Sequence, residues 1–75
     1  MVARRGRTVV FVEVKAKGGD RFGDPLDMVD DEKQRRIYRA AEIWLARNPE
    51  LAQCRVRFDA VAERSGRLAR VTDAF

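Results

Sequence analysis

TVVFVEVK, residues Thr8 to Lys15, is the stretch on which the fold turns. Six of its eight residues are β-branched or aromatic, the types that suit a pleated surface packed against neighbours. Side chains alternate along a strand, so Val9 and Phe11 face one way and Val10, Val12 and Val14 the other. A strand apolar on both faces belongs in the middle of a sheet covered on both sides. Its polarity changes only at the end. Glu13 and Lys15, two residues apart, share a face and stand roughly 7 Å apart at the Cα.

Working outward, Met1 to Ala3 reads as the tail of a preceding strand, with Arg4 to Arg7 and its Gly6 as a tight turn. From Ala16 to Asp27 the composition shifts to Gly, Asp and Pro, which predicts a loop. Asp30 then has the position of a helix N-cap, with Asp31 and Glu32 suited to the positive end of the helix dipole. Ile37, Ala40, Ala41, Trp44 and Leu45 recur at helical spacing and make one apolar stripe. Asn48-Pro49 stops that helix. Arg55 to Glu63 predicts another strand, Ser65-Gly66 a two-residue turn, and Leu68 to Thr72 a short return strand. Strand, helix, strand is a crossover that makes a parallel pair, and the two outer pairs read as hairpins. The expectation is a single α/β domain over residues 1–75, a mixed β-sheet with one flanking helix. One helix covers one face only. Cover for the other is expected from an N-terminal segment or from a partner subunit, which makes a homo-oligomer through the uncovered sheet face one expected arrangement.

Composition narrows the function. The formal net charge is +4, from sixteen Lys and Arg against twelve Asp and Glu. Thirteen of the sixteen are Arg, whose planar fork suits phosphate, although a basic balance also serves plain solubility. A lone cysteine, Cys54, forms no internal disulfide, which points to a cytoplasmic protein. With no histidine in the chain, Ser-His-Asp catalysis and most zinc sites are excluded. No apolar run reaches membrane-spanning length, so no membrane partner is expected.

The chemistry gathers where β-strand meets loop. Ligands of α/β sheets bind beyond the C-terminal ends of the strands, where Glu13 and Lys15 lie. A carboxylate there suits a hard divalent cation, Mg²⁺ or Mn²⁺, with the carbonyl of Val14 as a further oxygen. The Lys15 ammonium would then orient a nucleophile or balance charge on a phosphoryl group. The triplet alone is a weak signal, because Asp31-Glu32-Lys33 repeats it at a helix start. The plain alternative is a same-face salt bridge between Glu13 and Lys15, worth little.

Five segments carry more weight than the triplet. Thr8 to Lys15 (TVVFVEVK), Phe22 to Pro25 (FGDP), Lys33 to Arg36 (KQRR), Arg57 to Val61 (RFDAV) and Asp73-Ala74-Phe75 together resemble the YraN family. That bacterial group is assigned to the restriction-endonuclease-like, or PD-(D/E)xK, nuclease superfamily and is similar to Holliday junction resolvases. The resemblance runs in order over essentially the whole chain. It implies a restriction-endonuclease-like fold and a metal-dependent endonuclease acting on DNA. Glu13 would be the metal-binding acid, Lys15 the catalytic lysine and Gln34 an auxiliary glutamine. It also makes Lys17, Arg35, Arg36 and Arg39 candidates for phosphate contact. The arginines read equally well as the solvated side of an amphipathic helix. Asp59 reads as a structural ion-pair partner of a nearby arginine. The family's first metal-binding Asp lies on the preceding strand, and Met1-Val2-Ala3 aligns just after it. The family's leading helix and first strand have no counterpart here, so a truncated domain, inactive by itself, is expected. The alternative is a non-catalytic nucleic-acid-binding or assembly module that keeps the nuclease fold.

Overall fold

The computed structural model describes residues 1–16, 29–64 and 66–75. They form β1 (Val2–Arg5), β2 (Thr8–Ala16), α1 (Asp31–Ala46), β3 (Arg55–Arg64) and β4 (Arg67–Val71), with a 3₁₀ turn at Pro49–Leu51 before β3. The sheet order is β1-β2-β3-β4. β2 and β3 are parallel, and the outer pairs β1-β2 and β3-β4 are antiparallel. This is the α/β mixed sheet with a flanking helix that the sequence predicts. The differences are at boundaries. β1 runs on through Arg5, so the turn shrinks to Gly6-Arg7, with Gly6 at a φ of 59° that a side chain would disfavour. Most of the expected loop from Ala16 to Asp27, Lys17 and the FGDP segment included, lies outside the described residues, as does Ser65.

α1 starts where the sequence says it should. Asp30 is the N-cap, its side chain accepting the backbone N–H of Lys33 at 2.8 Å. That bond satisfies one of the orphan donors of the first turn. At the other end the Asn48 side chain donates to the Trp44 carbonyl at 2.8 Å, and Pro49 opens the 3₁₀ turn.

α1 packs on the sheet face that carries the odd-numbered residues of β2. Val9, Phe11, Ala41 and Leu51 form the buried cluster, with Trp44, Leu45, Cys54 and Phe58 packed against it. Phe11 meets Trp44 edge-on, with centroids 5.6 Å apart, and stacks on Phe58 across the parallel pair at 5.4 Å. Phe58 in turn meets Tyr38 of α1 and Phe75 near the C-terminus. Of the predicted helical stripe, Ala41 is buried, Ile37, Trp44 and Leu45 are half-buried, and Ala40 is exposed.

The opposite, outer face has no helix among the described residues, yet it is not bare. Val10 is buried, flanked in register by Ala3 and Arg57, whereas Val14 is 48% exposed. Between them on the same face lies Asp59 of β3, opposite Val12. It is fully buried on this face and accepts from Arg57 at 2.9 and 3.0 Å, from Arg70 at 2.7 Å and from the backbone N–H of Asp73 at 2.9 Å. Burial alone would raise the carboxyl's pKa. The donors from Arg57, Arg70 and Asp73 outweigh it and bring the pKa down from 3.8 to about 2. The same hydrogen bond is the main cause of the raised pKa of Arg57. The structural role expected for Asp59 is therefore what the geometry shows, with Arg70 as a second partner.

Candidate functional site

The residues singled out at the end of β2 come together with the start of α1. Parallel pairing sets Glu13 beside Ala60 and Lys15 beside Ala62, two small buried residues that leave room above the sheet. Both acid and lysine are half-buried on the face covered by α1. The crossover brings the first turn of α1 over this strand end, and Lys33 reaches down to Glu13 with Nζ 3.0 Å from Oε1. Glu13 thus pairs with a lysine twenty positions away in sequence rather than with Lys15, its neighbour on the strand. Among the described residues no carboxylate pairs with Lys15. In the sequence Lys33 belongs to the KQRR segment that resembles the YraN family and to the Asp31-Glu32-Lys33 triplet at the helix start, and neither gives it a role. Its reach depends on how α1 sits on the sheet.

The backbone adds a second feature. Met1 and Val12 exchange hydrogen bonds, the Val12 N–H donating at 2.8 Å and the N-terminal ammonium at 3.2 Å. Peptide groups two apart on a strand point to the same side. The Val14 carbonyl therefore points to the β1 side of β2, beyond Met1, where the described residues include no strand. An acid side chain and a main-chain oxygen thus come from adjacent residues at this end of β2. An apolar cleft of about 260 Å³ runs beside them, bounded by Phe11, Ile37, Ala40 and Trp44, with Glu13 at its rim.

The other candidates lie farther out. Gln34 is half-buried at the start of α1, where its side-chain amide donates to the Val29 carbonyl at 3.2 Å. Arg35, Arg36 and Arg39 are exposed, on the solvent side of α1. Lys17 lies outside the described residues. A divalent cation at Glu13 would find one carboxylate and the Val14 carbonyl, and Mg²⁺ is commonly held by one or two carboxylates, water and substrate phosphate. The described residues include no group of three or more His, Cys, Asp or Glu that could hold a metal, so the donor set fits only the sparse, water-rich kind of site. No helix among the described residues is long and apolar enough to cross a membrane.

Comparison with known proteins places this arrangement in a family. Residues 1–62 match the family described as Uncharacterised protein family UPF0102, the group also called the YraN family. A UPF0102 protein of Rhizobium etli is 42% identical over all of this chain, which covers 61% of that protein. One from Paramagnetospirillum magneticum is 45% identical over all of the chain and 57% of its own length. One from Geobacter metallireducens is 45% identical over 83% of the chain and half of its own length. The chain thus spans about half to three-fifths of the length of these curated relatives.

Proposed function

We propose, from the premise that the chain belongs to the UPF0102 family, that it forms the centre of a metal-dependent DNA endonuclease domain in which Glu13 binds the cation and Lys15 acts on the phosphodiester. The observation that carries this reading is the shared position of the two side chains. They stand on one face at the C-terminal end of the central parallel strand, beside the Val14 carbonyl. A bound Mg²⁺ or Mn²⁺ would supply Lewis-acid polarisation of a phosphoryl oxygen. Lys15 would hold the attacking water or offset charge gathering on the phosphoryl oxygens. Lys33 holds the Glu13 carboxylate in place and balances its charge, and would release it to a bound cation. Arg35, Arg36 and Arg39, with Lys17, would meet the DNA backbone, and Gln34 would support the site from the helix start.

The strand register supports this reading by leaving a position where a second carboxylate would meet Glu13. With Val2 opposite Phe11 and Met1 bonded to Val12, a relative whose β1 is one residue longer sets that residue opposite Glu13, on the same face. Directly opposed residues of this kind lie about 4.5 Å apart at the Cα. An extension by one residue reaches Glu13 and leaves the Val14 carbonyl free.

The test is DNA cleavage in Mg²⁺ by the protein extended to the length of its relatives. Lys15→Ala should abolish cleavage while DNA binding and thermal stability stay near those of the parent. Cleavage at an undiminished rate would remove Lys15 from the chemistry. The Glu13–Lys33 ion pair favours one second reading, a nucleic-acid-binding or assembly module without catalysis, since it satisfies Glu13 with no metal. That reading requires salt-sensitive DNA binding with no response to Mg²⁺.

A further inference from the structure

The outer sheet face has a basic end that the candidate site does not use. Cross-strand register places Arg5 of β1 opposite Thr8 of β2, and Thr8 opposite Arg55 of β3. Opposed residues share a face, so Arg5, Thr8 and Arg55 form one row across three strands, with the strands about 4.8 Å apart. Arg57 lies two residues along β3 on the same side. Arg7 sits in the adjoining turn, its carbonyl accepting the Arg55 N–H at 2.8 Å. Thr8, Arg55, Val56, Arg57 and Asp73 bound a polar cleft of about 170 Å³ at this end.

The charge balance there is one-sided. Asp59 pairs with Arg57 and Arg70, and Asp73, whose charge acts on Arg57, lines the cleft beside Arg55, so two carboxylates stand against the five arginines at positions 5, 7, 55, 57 and 70. Arg5, Arg7 and Arg55 are exposed, and none has a carboxylate partner among the described residues. Three guanidinium groups beside a threonine hydroxyl and a polar cleft suit phosphate oxygens, which arginine binds in a two-pronged fork. Among the described residues no exposed aromatic ring adjoins this end, Tyr38 being on α1, so those residues serve neither base stacking nor insertion into a lipid surface. A contiguous line of phosphates is the polyanion that a row of this form fits.

We propose that the row Arg5–Thr8–Arg55, with the cleft beside it, is a second nucleic-acid site that grips the phosphate backbone of duplex DNA without reading sequence. It shares the DNA partner with the proposed function and needs neither the metal nor Glu13 and Lys15. It lies on the opposite face of the sheet and at the opposite end of the parallel strands.

The test uses the chain in EDTA with a short mixed-sequence duplex, titrated between roughly 50 and 200 mM salt. Arg5→Gln with Arg55→Gln should weaken binding roughly fivefold or more and flatten the salt slope by about one to two, near 0.9 for each lost phosphate contact. Both side chains are exposed, so the circular dichroism spectrum and melting temperature should be unchanged. Phenylglyoxal labelling of the unaltered chain, read by mass spectrometry, should show Arg5 and Arg55 protected by the duplex, which tests the site without any variant. An unchanged slope, or equal labelling with and without DNA, overturns the proposal. So does binding of anionic vesicles that the double variant abolishes while DNA affinity holds. Arg35→Gln with Arg36→Gln separates the two readings. If only this helix variant weakens binding, the outer site is wrong and the helix surface of the proposed function stands. If only the outer-face variant does, the reverse holds.

Discussion

Glu13 and Lys33 make an ion pair whose side chains are each about a quarter exposed, at 27% and 25%. Pairs in that setting contribute under about 1 kcal/mol, so Lys33→Ala should cost little in urea denaturation. Its larger effect should fall on metal binding. With the competing ammonium gone, the Glu13 carboxylate should take up Mn²⁺ more tightly, and calorimetric titration of the variant against the parent checks the direction. Asp59 is the reverse case, costly to stability and remote from the candidate site. Asp59→Ala removes the buried acceptor that Arg57 and Arg70 share and should cost about 1–3 kcal/mol, since the two guanidinium groups left behind, 32% and 52% exposed, can turn to water. The pH dependence has a definite sign. The folded pKa lies below the unfolded one, so the unfolded chain takes up the extra proton first as acid is added. The stabilisation is complete above 3.8 and disappears as the pH falls through about 2, on the order of 2 kcal/mol in all. Acid denaturation of the parent should show this limb, and Asp59→Asn should lack it.

At the level of elements, β2 was legible because every one of its first five residues favours a strand and both of its faces are apolar. α1 was legible from its cap, its stripe and its stop. Replacing the cap, Asp30→Ala, should cost about 1 kcal/mol and lower the melting temperature, since the Lys33 N–H then loses its acceptor. Phe11→Ala should do far more. That ring touches both Trp44 and Phe58, and large-to-small changes at such a position cost about 3–5 kcal/mol. In a chain this small the loss should show in the amide spectrum as a mostly unfolded population. What sequence periodicity could not supply was the pairing of Glu13. Two lysines lie near it in the fold, and the choice of Lys33 over Lys15 follows from where α1 crosses the sheet. The same holds for Arg70 on Asp59, a contact set by the β3–β4 register.

For the whole molecule, the mixed sheet divides the charged groups between two faces. The helix-covered face carries Glu13, Lys15 and Lys33 at one end of the central strands. The outer face carries Arg5 and Arg55 at the other, joined by the Asp59 cluster. Of the first arrangement, Glu13 and Lys15 could be read from spacing and from family resemblance, and Lys33 could not. The second could not, because a row across three strands appears only when the register is known. Arginines at positions 5 and 55 look unrelated in the sequence. Family membership follows from the match over residues 1–62, and it gives the sheet a context in longer relatives without assigning the chemistry.

At the proposed site Glu13 and the Val14 carbonyl would hold a divalent cation beside Lys15. Paramagnetic broadening by Mn²⁺ tests it most directly, in an amide spectrum of the chain with and without Glu13→Gln. Substoichiometric Mn²⁺ should broaden the resonances of Val12 to Lys15 and of Lys33 first, and Glu13→Gln should remove that effect. Broadening that begins elsewhere, at Asp30 to Glu32 for example, or that survives Glu13→Gln unchanged, would contradict the account.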